Sequence, residues 1–308
     1  AGRGPMSWRR LREGDLVGVV APAGPATPAA VASVEPLFAR FGMRTRLYPS
    51  CQTRHPRHDF LAGDDAVRAA DLQAAFADPE VHAVCCLRGG HGSLRLLDRI
   101  DPTSMRANAH KPFVGYSDIT ALHALRAHEG LVGLHAPMPA SDLRLEGAEG
   151  DARALFEMLT QTVARGAVLA PVLQEATWHV PGHASGRLVG GNLSLVAALL
   201  GTRWAWPVEG AVLFLEEVGE APYRIDRLLT QLSLAGVLDA AGGFVLGSFT
   251  EAEAPTSVLQ EHLTGRGKPV LAGWPAGHGR PNRPLPLGLR VTLDAAAGTL
   301  TLEEDLLA

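Results

Sequence analysis

Cysteine is scarce in this chain of 308 residues, and the three present, Cys51, Cys85 and Cys86, form no CxxC pair. A disulfide between the adjacent Cys85 and Cys86 would be strained, so the sequence fits a reducing compartment. An excess of one charge is missing as well. The 28 basic and 32 acidic residues leave a formal charge of -4, which gives no basic field for nucleic acid or an anionic membrane surface. No apolar run approaches the ~20 residues that span a bilayer, and no charged-then-apolar leader is visible. The expectation is a cytoplasmic protein with no nucleic-acid or membrane partner. The leading "AGRGP" reads as a tag remnant ahead of Met6. Repeats, low-complexity tracts, HExxH spacing, GxxxxGK[ST] and GxGxxG are all absent, so neither a metal nor a cofactor is expected.

A hydrophobic content of 46% over this length can bury a sizeable core and exceeds ordinary single-domain size. Short apolar runs alternate with helical patterns: "LVGVV", then "TPAAVASVEPLFARFG" with Thr27 as N-cap and Pro28 at the first helical position, then "MRTRLY", "DDAVRAADLQAAFAD", "VHAVCCL", "GSLRLLDRI", "PFVGY" and "DITALHALRAHEG". That alternation predicts an α/β, Rossmann-like domain with a parallel sheet covered on both faces. Pro36 conflicts with its helix and predicts a kink or shortening. Past Ala140 the pattern loosens through a Pro-, Gly- and His-containing stretch ending in "VPGHASGRLVGG", then resumes as a smaller mixed α/β set. The expected organisation is an N-terminal domain over 1–145, a crossover over 146–178 and a C-terminal domain over 179–308.

In an open parallel sheet, ligands bind beyond the carboxyl ends of the strands, where "RGGHGS" and "GYSDIT" fall. The first lets backbone N–H groups at Gly89 and Gly90 approach a developing oxyanion, or is simply a tight turn. The second sets Ser117 between a strand and a helix start, where a serine serves either as cap or as nucleophile, with the Asp118 N–H beside it. "GYSDI" lacks the second glycine of GxSxG. Among twelve histidines, His278 stands apart in the Gly- and Pro-rich loop "AGHGRPNRPLPLG". Glu216 and Glu217 end the apolar run "LFLEEV", and strand alternation leaves Glu217 facing solvent as one reading.

"LRGGHGSLRLLDRID", "FVGYSDITALH", "GGNLSLVAALLGT", "LFLEEVGEAPYRIDRLLTQL" and "GHGRPNRPLPLG", in this order, closely resemble the LD-carboxypeptidase family, the S66 serine peptidases that include murein tetrapeptide carboxypeptidase and microcin C7 self-immunity protein. The resemblance implies a triad of Ser117, Glu216 and His278, an oxyanion hole from the backbone of Gly90 and Asp118, and a homodimer. It implies cleavage of the L,D-peptide bond to a terminal D-residue, releasing D-alanine from murein tetrapeptides in cell-wall recycling. The expected partner is a muropeptide or small peptide, with Arg88 and Gly89 contacting it and Arg88 pairing with its terminal carboxylate. Two departures, "APAGPA" after the first strand and "LHAP" at His135 to Pro137, bear on substrate preference. The alternative within the family is hydrolysis of aminoacyl- or peptidyl-nucleotide antibiotics. From a different class, a two-domain small-ligand binding protein also places a cleft between α/β lobes.

Overall fold

A computed structural model describes residues 7–171 and 177–307. The expected tag remnant with Met6 and part of the crossover lie outside them. In the first half, β1 (Leu16–Val20), β2 (Arg44–Leu47), β3 (Val81–Cys86), β4 (Phe113–Val114) and β5 (Gly133–His135) are all parallel, in the spatial order β5-β4-β3-β1-β2. This is a doubly wound order whose direction of winding reverses between β1 and β3, so their carboxyl ends open a crevice. β1 is buried throughout because both its faces are covered. Leu16 and Val20 join one cluster with Leu72 and Leu122, whereas Val17 and Val19 join another with Val31, Phe38 and Phe156.

The conflict at Pro36 is resolved by breaking the helix in two, Pro28–Ala32 and Val34–Ala39. Thr27 caps the first, its hydroxyl accepting from the Ala30 N–H, as the sequence predicts. Pro36 then falls in the first turn of the second, where its missing N–H would have had no helical partner anyway.

The second half contributes β6 (Val168–Leu169), β7 (His179–Val180), β8 (His183–Asn192), β9 (Val212–Val218), β10 (Gly243–Thr250), β11 (Val270–Leu271), β12 (Leu285–Leu287), β13 (Arg290–Asp294) and β14 (Thr299–Leu302). Eight of these form a mixed sheet in the order β6-β14-β13-β8-β9-β10-β11-β7, parallel from β8 to β11 and antiparallel at both flanks. The fold is thus mixed α/β with a parallel-rich first sheet and a mixed second one. β12 leaves the second sheet and pairs antiparallel with β5 at the edge of the first.

Three elements differ from the sequence reading. "GSLRLLDRI" forms only a short 3-10 turn at Ser93–Leu96, and "PFVGY" only the two residues of β4. The stretch "HASGRLVGGN" is the ten-residue strand β8 rather than part of a connection. Its glycines hid it, since they remove the apolar alternation. They are needed because a Cβ at Gly190 would stand 2.1 Å from the Phe214 carbonyl on β9.

Because β12 ties the second sheet back to the first, its buried Leu285 works as a rivet between them. Leu285→Ala should destabilise the protein by about 2–5 kcal/mol, the usual cost of emptying a well-packed site. Denaturant unfolding checks this, and a loss under about 1 kcal/mol would show that the rivet contributes little beyond local packing.

Candidate active site

Ser117 stands just past β4 with φ of +64°, in the left-handed region that non-glycine residues seldom occupy. Four contacts hold it there. Gly115 packs its bare Cα against Ile119 and Cys86, where a Cβ would come within 2.9 Å and 3.2 Å. His123, buried in the following helix Thr120–His128, hydrogen-bonds the Gly115 carbonyl through Nε2 at 2.7 Å. Burial holds its pKa down to about 4, against the raising effect of that bond, so the imidazole is neutral and Nε2 donates. Thr120 Oγ1 donates to the Ser117 carbonyl at 2.7 Å, and the Asp118 carboxylate accepts from the Ser93 N–H at 2.8 Å. Backbone strain held by so many contacts is typical of functional sites.

The loop 88–92 leans on this elbow. A Cβ at Gly89 would lie 2.9 Å from Ser117 Cβ and 3.0 Å from its Oγ, so only glycine permits the approach. The Gly89 carbonyl accepts from the Gly24 N–H at 3.1 Å and from Arg88 Nε at 3.3 Å. In a trans peptide the next N–H points the opposite way, which turns the Gly90 N–H away from the Gly24 loop. Among the described residues that N–H donates to no protein acceptor. Arg88 Nη1 donates to the Pro25 carbonyl at 3.0 Å, so its guanidinium is engaged by the backbone of the two loops it joins.

From the second sheet, His278 reaches over Ser117. Its Nδ1 lies 2.7 Å from Glu216 Oε2 and its Nε2 3.0 Å from Ser117 Oγ. A carboxylate only accepts, so Nδ1 carries the proton and Nε2 offers a lone pair to the serine hydroxyl. Glu216, at the carboxyl end of β9, is fully buried and also receives the His278 backbone N–H at 3.3 Å. Tyr116 packs its ring 4.9 Å from the imidazole and donates its hydroxyl to Asp142 at 2.6 Å. Burial lowers the His278 pKa. The hydrogen bond and charge of Glu216, with smaller contributions from Asp142 and Glu217, outweigh burial and leave it raised above 6.5.

The folded chain therefore brings Ser117, Gly89, Gly90, Glu216 and His278 together, with the Asp118 nitrogen 3.6 Å from where a Gly89 Cβ would stand. Glu217 corrects the solvent-facing reading: it is only 4% exposed. Its Oε2 accepts from the N–H and Oγ of Ser194 at 2.8 and 2.6 Å, and its Oε1 from Asn192 Nδ2 at 2.8 Å and the Val218 N–H at 3.0 Å. The reason is the helix Leu193–Ala198, whose first N–H groups need an acceptor and whose N-terminus favours an anion. Asn192 is the contributor that sequence reasoning missed. It caps that helix through Oδ1, and its Nδ2 lies 2.8 Å from Glu217 and 3.5 Å from Glu216. The signal was present in "GGNLSLV", an Asn directly before a helical pattern.

The family model for the LD-carboxypeptidase N-terminal domain matches residues 17–136, and that for its C-terminal domain matches residues 185–293. The chain belongs to the LD-carboxypeptidase family. As a member of this peptidase family it is a hydrolase. A putative carboxypeptidase of Streptomyces coelicolor is 42% identical over 96% of this chain and 95% of its own length. A probable murein peptide carboxypeptidase of Bacillus subtilis is 36% identical over 96% of this chain and 93% of its own. The solved structure of MccF in complex with glutamyl sulfamoyl guanosine superposes with a TM-score of 0.88, covering 99% of this chain and all of that one at 23% identity, a likeness of fold.

Glu217 accepts four donated hydrogens and a glutamine would offer only one acceptor oxygen. Glu217→Gln should thus turn an NH₂ toward donors and cost about 1–3 kcal/mol of stability. Urea unfolding with an unchanged midpoint would show that Glu217 is not the acceptor these contacts describe.

Proposed function

We propose that this protein is a serine carboxypeptidase that cleaves the L,D-peptide bond to a terminal D-amino acid, D-alanine, in murein tetrapeptides, and acts in cell-wall recycling. The observation that carries this reading is the unbroken Ser117–His278–Glu216 hydrogen-bond chain, with the serine held at positive φ. The murein substrate is favoured by the name of the 36% identical Bacillus relative.

In this mechanism His278 Nε2 takes the Ser117 proton as Oγ attacks the scissile carbonyl carbon. The carbonyl oxygen becomes an oxyanion facing the N–H groups of Gly90 and Asp118. The imidazolium, steadied by Glu216, returns its proton to the departing D-residue amine as the C–N bond breaks, leaving an acyl-enzyme on Ser117. Water, deprotonated by His278, then attacks the ester, and collapse of the second tetrahedral intermediate releases the shortened peptide and restores the serine. Arg88 stands at the crevice between β1 and β3, where the leaving residue's terminal carboxylate would lie within reach of Nη2, the guanidinium nitrogen used on neither Pro25 nor Gly89. The enzyme would work as a homodimer in the cytoplasm, with no metal or cofactor called for by these steps.

Turnover on an L,D-tetrapeptide tests the assignment. Wild type should release the terminal D-residue and be labelled by a fluorophosphonate, while Ser117→Ala should do neither. Preference for an aminoacyl-sulfamoyl nucleoside over the peptide would move the substrate to the antibiotic branch. Absence of labelling and of turnover on both would return the protein to the ligand-binding class. The raised His278 pKa gives a second check. The base acts only when neutral, so kcat/KM should rise with pH through a limb centred above 6.5. Glu216→Gln removes the cause that raises this pKa while burial, which lowers it, remains. Its residual activity should show that limb at lower pH, and a limb that moves upward would contradict the assigned role of Glu216.

A further inference from the structure

His278 sits on a strap that runs from β11 in the second sheet to β12 in the first, and one buried contact chain fixes the strap beside the imidazole. Asn282, 2% exposed, accepts the Gly277 N–H on Oδ1 at 3.0 Å. The Asn282 N–H in turn donates to Asp151 Oδ1 at 3.1 Å. Asp151, 6% exposed, lies in the first turn of the helix Glu149–Thr160. That helix packs Leu155 and Phe156 into the cluster behind the first sheet, with Phe156 stacked on Phe41 at 4.2 Å. The chain of contacts therefore leads from the layer that carries Ser117 to the residue before His278.

Its inner end bears directly on the triad. Gly277 has φ of +116°, and a Cβ there would stand 2.8 Å from both Glu216 Cβ and Oε2, so the Gly277 backbone lies against the orienting carboxylate. The outer end is reinforced by Arg283, which donates to the Gly150 carbonyl at 2.9 Å while its own N–H bonds the Pro275 carbonyl at 2.7 Å. Among the described residues Asn282 Nδ2 has no partner. A buried amide with an idle donor is retained at a cost, which points to its Oδ1 and backbone as the parts in use.

We infer that Asp151 and Asn282 are positioning residues that set the His278 imidazole on Ser117 by latching the strap to the first lobe. This rests on the serine peptidase reading. The role differs from simple support of the fold because the latch bonds the backbone at the base and not the core, and β12 pairs with β5 independently of it. Displacing a reacting group by about 1 Å costs on the order of 100-fold in rate. Losing the latch should therefore lower the rate of proton removal from Ser117 without altering substrate contacts.

The test uses the full chain with Asn282→Ala, Asp151→Ala and Asp151→Asn, beside Ser117→Ala as reference. The asparagine at 151 keeps an Oδ1 acceptor for the Asn282 N–H. Both alanine variants should lose about 10- to 100-fold in kcat on the L,D-tetrapeptide with KM within about threefold of wild type. They should lose a similar factor in the rate at which a fluorophosphonate labels Ser117, a probe too small to depend on substrate-binding residues. Asp151→Asn should restore both rates to within about threefold of wild type, and the double alanine variant should be little worse than either single, as expected of one unit. Alanine variants that keep wild-type kcat and labelling, or that raise KM alone, would overturn the latch while Ser117→Ala stays inactive. If Asn282→Ala fails to fold, the contrast between the two Asp151 variants decides: equal loss in both overturns the proposal. Retained turnover in Ser117→Ala would be a failure of the peptidase reading itself, and is distinguishable from all of these.

Discussion

The hydrogen bonds that meet at His278 join side chains borne on two different sheets, and they are part of a closed ring. Ser117 Oγ faces His278 Nε2, and His278 Nδ1 bonds Glu216. Asn192 stands beside Glu216 and Glu217, and its backbone N–H donates to Thr120 Oγ1 at 3.1 Å. Thr120 Oγ1 donates back to the Ser117 carbonyl. A shift of one sheet against the other would stretch several of these contacts at once. The tenths of an ångström that separate a hydrogen bond from a near miss are thus guarded by a network and not by one contact.

The ring also explains why two adjacent glutamates can sit in an apolar interior. An isolated buried carboxylate would be expelled or neutralised, and the desolvation cost falls only when donors surround it. Glu217 obtains its donors from a helix start and Glu216 from His278. Successive residues of β9 point to opposite faces, so the pair splits its duties: one carboxylate anchors the helix that follows β8, and the other faces the strap with His278. Removing either would leave donors unpaired in a region of low dielectric, which couples the stability of the second lobe to the geometry of the site.

Much of this was legible in the sequence because it depends on local rules. The strand–helix alternation, the Thr27 cap and the two-faced burial of β1 follow from periodicity and capping alone. Ser117, Glu216, Glu217 and His278 stood out as candidates because each ends an apolar run or sits in a glycine-rich turn, whereas the choice of Glu216 over Glu217 came from the family resemblance. What escaped depends on partners remote in sequence. β8 is masked by glycines whose reason is the close approach of β9, and β12 carries Pro286 in a three-residue strand that pairs with β5 about 150 positions earlier in the chain. Glu217 read as solvent-facing because alternation predicts the face but not what covers it.

The elbow shows how a missing motif residue can be replaced by a tertiary one. In GxSxG the second glycine relieves crowding between the nucleophile turn and its surroundings. Here Gly115, the motif's first glycine, makes room for the Ile119 side chain, and Gly89 on the neighbouring loop makes room for the serine. Ile119 stands where the motif has that second glycine, and Asp118 fills the position directly after the serine that the motif leaves open. Burial raises the Asp118 pKa against the hydrogen bonds from Ser93, and those bonds, to its carboxylate from the Ser93 N–H and to its carbonyl from Ser93 Oγ, fasten the elbow to the loop carrying Gly90. The two backbone N–H groups proposed to meet the oxyanion, on Gly90 and Asp118, lie on the two segments that this contact joins. A substitution at Ser93 would therefore disturb both segments together.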